Sequence, residues 1–390
     1  MTSDASVGSG GGEAVQRAAA AWLQELEDQR MRRSLSPVPD GVVNLCSNDY
    51  LGLVVDQAWQ EELRSNLAEP AGAGASRLLG GEHRIYAELE EAFSQFKGTE
   101  ASLYFSSGYL ANEAVVQTLA RLDVHFFSDR LNHASIIDGC RLARLDRHRL
   151  TLVPHRDIDA FVDALKDSRA SRRVILTESI FSMDGDAADL RRLSDVAREY
   201  DALLVVDEAH AIGVFGRGGR GWIDEQGLSA QEIVTVNPLG KAWGLQGALV
   251  SGPQWFREAL INAARPFIYT TGASPWLAGA ALWTLRRMPE WDDRRRRVRK
   301  LATRLRESLR RGNWDVDEGD CPIVPIIVGS AAAALDLSRH LLEAGFFCRA
   351  IRPPTVPEGT CRVRISLTAA VTDAQLERLV DAILGWRPRT

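Results

Sequence analysis

The chain is 390 residues long, 45% hydrophobic and 25% charged, with a formal net charge of −5; it is long enough for two or more domains and too acidic for a general nucleic-acid binder. No apolar run reaches the roughly 18 residues of a membrane span, and the glycine- and serine-rich start looks like a disordered tail, without the basic and apolar blocks of a signal peptide. Cys46, Cys140, Cys321, Cys348 and Cys361 are scattered with no C-x-x-C spacing, which speaks against a zinc site or a disulfide framework and for a reducing cytoplasm.

From Glu13 to about Ser34, Val15, Ala18, Ala19, Trp22, Leu23 and Leu26 recur at helical spacing. The helix is expected to end in Arg30, Arg32 and Arg33, where cations suit the dipole. Ser47 to Leu53 reads as a polar turn, and Gly72 to Arg77 as an irregular segment too glycine-rich for a helix.

Strands and helices then alternate at the spacing of βαβ units, which predicts an α/β fold on a mostly parallel sheet. Ile85 to Phe96 is helical in period although Glu82-His83-Arg84 offers no preferred cap. Ala101 to Phe105 is a strand, and Ser106-Ser107-Gly108-Tyr109 opens the next helix with amides that could cradle an anion. Val124 to Ser128 is a strand leading to Asn132-His133-Ala134-Ser135. Val174 to Thr177 is another, followed by a loop reading ESIFSMDGD over 178–186.

After a helix over Leu190 to Tyr200 comes Ala202 to Val206, an unbroken apolar run that suits a strand buried on both faces. Asp207 stands at its carboxyl end with His210 three residues on, where ligands bind in open α/β sheets. The plainer alternative is a turn-capping aspartate and a loop histidine. Ile233 to Val236 is a strand leading to Asn237-Pro238-Leu239-Gly240-Lys241, with Lys241 in a glycine-bracketed turn. Trp283 to Arg311 reads as one basic helix whose run Arg294 to Arg297 is a solvated face. From Ile323 onward, strands (323–328, 362–367) and helices (331–342, 373–384) suit a smaller α/β domain.

A lysine, an upstream Asp-x-x-His, a second histidine and a serine-glycine helix start are what a pyridoxal 5'-phosphate (PLP) site requires. A desolvated lysine is a good amine nucleophile and base, a carboxylate keeps the pyridine nitrogen protonated, and helix amides hold the phosphate.

The chain resembles the α-oxoamine synthases, fold-type I PLP enzymes, in SNDYLGL (47–53), GAGASRLLGG (72–81), SSGYLAN (106–112), NHAS (132–135), TESIFSMDGD (177–186), DEAHAIGVFGRGGRG (207–221), GKAWG (240–244), IYTT (268–271) and AIRPPTVPEGTCRVRISLTAA (350–370). The resemblance implies a fold-type I PLP-dependent transferase with an N-terminal segment (1–50), a large PLP-binding domain (51–282) and a small C-terminal domain (283–390). It implies a homodimer and a decarboxylating condensation of L-alanine with a pimeloyl thioester, carried on coenzyme A or an acyl carrier protein.

Carried over by position, Lys241 would hold the cofactor and act as base, Asp207 would pair with its ring nitrogen, and His133 would stack on the ring. His210 and Ser182 would lie by the phenolic oxygen, with Gly108, Tyr109 and Thr271 toward the phosphate. Arg352 and Asn48 would take the amino-acid carboxylate, Thr355 would lie near the acyl group, and Arg32, or Arg33, would line the substrate site. One departure stands out: Pro238 occupies the place where the family carries a phosphate-binding Thr or Ser, and Asn237 or Thr235 is expected to stand in. Two other readings remain open at this point, a sibling such as glycine acetyltransferase and a non-catalytic module on the same fold. A nucleotide-driven motor, suggested by Asp-Glu-Ala-His over 207–210, lacks the G-x-x-x-x-G-K-[ST] loop it needs.

Overall fold

The computed structural model describes residues 10–29, 31–66 and 68–387. Its main sheet is built from β1 (Ala101–Phe105), β2 (His125–Asp129), β3 (Leu150–Val153), β4 (Arg173–Glu178), β5 (Ala202–Asp207), β6 (Val234–Pro238) and β7 (Ala248–Gly252). The order across the sheet is β1-β7-β6-β5-β4-β2-β3, and β7 alone in this sheet runs antiparallel to its neighbours.

The unbroken apolar runs follow from burial on both faces. Val174, Leu176 and Val205 pack with Ala111, Val115 and Leu119 on one side; Ile175, Leu204 and Val206 pack with Leu190, Leu193 and Phe161 on the other. Each such side chain contributes roughly 1.5–3 kcal/mol by leaving water. The crossover helices that matter below are α1 (Gly108–Ala120), after β1, and α2 (Ala134–Leu142), after β2.

A second, antiparallel sheet has the order β9 (Ala350–Ile351), β10 (Cys361–Ser366), β8 (Ile323–Gly329). The early segment is built into this part of the molecule. Val43–Asn44 pairs in parallel with Phe346–Phe347, and Ser366 and Ala369 donate their amides to the carbonyls of Leu45 (2.8 Å) and Tyr50 (2.9 Å). The Asp49 carboxylate then accepts the amides of Leu53 (2.8 Å) and Val54 (2.9 Å), which fixes the turn that carries Asn48 and Tyr50.

Several expectations need correction. The first helix spans Gly10–Asp28 and stops before the arginines, because the Leu26 carbonyl takes the amides of Met31 and Arg32 and closes the last turn; Arg30 lies outside the described residues. The basic helix breaks into Pro275–Arg287 and Asp292–Arg311 around a short turn containing Pro289, which has no N–H to continue a helix. Its arginine run is a solvated face only at Arg296. Arg294 reaches Leu51 O (3.0 Å) and Asp56, Arg295 is 4% exposed on Asp292, and Arg297 donates to the carbonyls of Ala369 and Val371. Strands β3 and β7 were not foreseen, and Glu178 closes β4, not the loop beyond it.

Candidate active site

Five strand ends converge on one side of the main sheet. β1 runs into Ser107, the N-cap of α1; β2 ends at Asp129 just before His133, the N-cap of α2; β4, β5 and β6 end at Glu178, Asp207 and Pro238. Register places Glu178 beside Asp207 and Asp207 beside Val236. Polar chemistry gathers here because this is where the chain leaves the covered interior.

Asp207 is 4% exposed and held by two donors. Ala209 N–H reaches Oδ1 at 2.8 Å and Asn112 Nδ2 reaches Oδ2 at 2.7 Å. The aspartate therefore does cap the next turn, and its other oxygen is aimed by a helix side chain. Asn112 also donates to Ser135 Oγ (2.9 Å), and that oxygen lies 2.7 Å from His133 Nδ1. Since the Ser135 amide also donates to Nδ1 (3.2 Å), Nδ1 is an acceptor and the neutral ring carries its proton on Nε2. Burial, assisted by the charge of Lys241, pushes His133 below the ordinary histidine range.

Lys241 follows β6 in a loop anchored by the buried Leu239, Ala242 and Trp243. Its side chain makes no hydrogen bond or ion pair among the described residues. Burial pulls its amine below the ordinary lysine range, against the opposing pull of Asp207 and Glu178 and with the help of Arg364. His210, 3% exposed, meets Tyr50 Oη at 2.6 Å through Nδ1. Burial first, then the charges of Lys241 and Arg364, keep it neutral. Glu178 is pushed well up by burial and by Asp207 beside it, and its Oε1 has no hydrogen-bond partner among the described residues.

Opposite this group stands Arg364 on β10, 7% exposed, donating through Nε to Ser182 O (2.5 Å) and through Nη2 to Asn48 Oδ1 (3.0 Å). Ser366 Oγ donates to the same Asn48 oxygen at 2.9 Å. The sequence reading missed Arg364, Tyr50, Asn112, Ser135 and Glu178. A signal for the arginine existed: Arg362, Arg364 and Ser366 alternate along one strand, which puts them on one face. Arg352 instead sits at a turn where its carbonyl accepts the Thr355 amide (3.1 Å). Thr355 and Thr271 are exposed, and Arg32 is exposed in an ion pair with Glu27 at 3.5 Å.

At the head of α1, Ser107 Oγ accepts the Leu110 amide (3.3 Å), and the amides of Gly108 and Tyr109 have no partner among the described residues. Tyr109 meets the His133 ring edge-on at 6.1 Å and bonds Asp138. The expected substitutes for the missing hydroxyl fail. Thr235 and Asn237 are both 0% exposed and bonded to each other (2.8 Å), facing the sheet interior. Pro238 packs directly on Gly108. A half-buried amine and two helix amides without a partner among the described residues, together with a carboxylate aimed by two donors, fit an aldehyde cofactor with a basic ring nitrogen and an anionic tail.

Comparison with known proteins agrees with this chemistry. The profile of the family "Aminotransferase class I and II" matches residues 40–383. The chain is 42% identical to the 8-amino-7-oxononanoate synthase of Aromatoleum aromaticum, covering 93% of this chain and 96% of the relative. A high-resolution structure of SPT with PLP superposes with a TM-score of 0.85 at 27% identity, over 95% of this chain and 97% of that one. The 8-amino-7-oxononanoate synthase of Francisella tularensis superposes with a TM-score of 0.75 at 28% identity, over 89% of this chain and 98% of that one.

Proposed function

The chain belongs to the class I and II aminotransferase family, and from that premise we propose that it performs the reaction its relatives are named for. L-Alanine and a pimeloyl thioester give 8-amino-7-oxononanoate, carbon dioxide and the free thiol, a step of biotin synthesis. The thioester is carried by coenzyme A or an acyl carrier protein. The observation that carries the reading is the half-buried Lys241 amine just past the end of β6, which makes no hydrogen bond or ion pair among the described residues and is held below the ordinary lysine range by burial.

PLP, when bound, supplies an aldehyde that captures amines and a ring that takes up electrons from the carbon beside them. Lys241 would hold it, Asp207 would face the ring nitrogen, and the α1 amides of Gly108 and Tyr109 would take the phosphate. The lowered basicity of Lys241 leaves its amine free to accept the α-proton of the amino acid. His133, with a proton on Nε2, is suited to donate to the thioester carbonyl oxygen as charge develops there. Arg364, rather than Arg352, is the guanidinium that can take the amino-acid carboxylate, since it shares Asn48 and its Nη1 makes no hydrogen bond among the described residues.

A homodimer fits the exposed apolar stripe of the first helix, where Val15 is 70% and Trp22 60% exposed. Among the described residues no helix is long and apolar enough to cross a membrane, and five free thiols suit a reducing cytoplasm. The test is product identification by mass spectrometry with L-alanine and pimeloyl donors. Reaction of glycine with a short acyl thioester, and none with these substrates, would reassign the chain to a sibling activity. Light scattering in solution tests the dimer.

A further inference from the structure

We propose that His155, as an imidazolium, is a positioning residue of this site: it clips the turn that carries His133 to the loop that carries Ser182. The inference rests on the function proposed above.

His155 Nδ1 lies 3.0 Å from Asp129 Oδ1 and Nε2 lies 2.9 Å from Asp186 Oδ2. Both partners are carboxylates and accept only. A neutral imidazole has one N–H and would leave one contact as lone pair against lone pair, so the geometry requires both nitrogens to be protonated. The groups facing the ring are Asp129 at the end of β2, Asp186 and Phe181 from the loop after β4, and Arg156 from its own turn. Phe181 meets the ring edge-on at 4.4 Å, and Arg156 Nη1 reaches Asp186 at 2.9 Å. Burial alone would lower the imidazole, but the bonds to Asp129 and Asp186 and their charges overcome this and raise it to about 9.

Each carboxylate also shapes a functional turn. Asp129 Oδ1 accepts the Leu131 amide (2.8 Å), and its carbonyl accepts the Asn132 amide (3.2 Å), which sets the approach to His133. The Asp186 carbonyl accepts the Phe181 amide (2.9 Å), immediately before Ser182, whose carbonyl in turn receives Arg364. One cation thus joins the turn behind the ring-stacking candidate to the loop that orients the carboxylate-binding candidate.

The experiment uses the full-length holoenzyme as wild type and as His155→Gln, whose amide can donate twice but does not titrate. Histidine-selective 15N NMR of the wild type is expected to show one ring protonated on both nitrogens at neutral pH, losing a proton near pH 9; that signal is absent from His155→Gln. The variant should keep its fold by circular dichroism, lose at least tenfold in kcat with a smaller change in the KM for alanine, and lack the fall in activity expected of wild type as pH rises through about 9. A neutral His155 at pH 7, or a variant with wild-type kcat and an unchanged alkaline limb, overturns the clip. Absence of product from wild type would instead overturn the proposed reaction, while the NMR result still judges the clip.

Discussion

Gly108 and Pro238 touch across the head of α1 so closely that a β-carbon on Gly108 would stand 2.5 Å from Pro238 Cγ and 2.8 Å from its Cβ. The proline ring fills the corner where the family resemblance implies a hydroxyl, and the absence of a side chain at Gly108 makes room for it. Gly108→Ala must shift the helix head or the β6 end, at a typical overpacking cost of about 1–3 kcal/mol. The expected result is a PLP affinity lower by roughly 10–100-fold, read by absorbance titration of the apoprotein.

The converse substitution, Pro238→Ser, opens the corner and offers a donor to the phosphate. A hydrogen bond to a charged group is worth about 1.5–3 kcal/mol, so PLP should bind at least tenfold more tightly. An unchanged Kd would show that the phosphate does not sit at this corner.

Arg364→Lys keeps the charge but loses the planar fork that reaches Ser182 O and Asn48 Oδ1 together. The KM for alanine should rise roughly tenfold or more, by the loss of one charge-assisted bond, with a lesser effect on kcat. Arg352→Lys should leave that KM near wild type. Steady-state kinetics with varied alanine separates the two arginines.

Lys97 and Glu208 form an ion pair whose side chains are 1% and 0% exposed, and Glu208 Oε1 also accepts the Ile223 amide at 3.0 Å. Lys97→Met strands a buried carboxylate and should cost about 3–5 kcal/mol in a urea titration. The double variant Lys97→Met, Glu208→Gln removes the stranded charge and should recover part of that loss.

His210 is held neutral, with its folded-state basicity depressed below the ordinary 6.5 by burial first. Below that pH the unfolded chain takes up a proton that the folded chain refuses, so this group's contribution to stability is present above about pH 6.5 and is lost as the pH falls. Thermal melts of His210→Asn should show a shallower acid limb than wild type.

The apolar strands were legible because burial on both faces writes itself into sequence as an unbroken run; Val174 to Leu176 in β4 and the end of β5 stand where the pattern puts them. Strand β7, flanked by Gly247 and ending in Gly252, carries no such signature. In the site, Lys241, Asp207, His133 and His210 could be found because each lies at or just past a strand end. What Tyr50 and Arg364 meet was not legible, since their partners His210 and Asn48 are 160 and 316 positions away; the alternation of Arg362, Arg364 and Ser366 marks a shared strand face but not what that face meets. The Arg294–Arg297 run misled for a related reason: whether a cation is solvated depends on the carbonyls folded against it, here those of Leu51, Ala369 and Val371.

The segment around Asn48 leaves the ribosome 316 positions before the arginine it holds. For most of translation that asparagine has nothing to grip, and no nascent fragment ending before β10 can carry a finished pocket. Premature termination between Lys241 and β10 therefore yields a chain that owns its lysine and its aspartate and still lacks the arginine proposed to seat an amino acid.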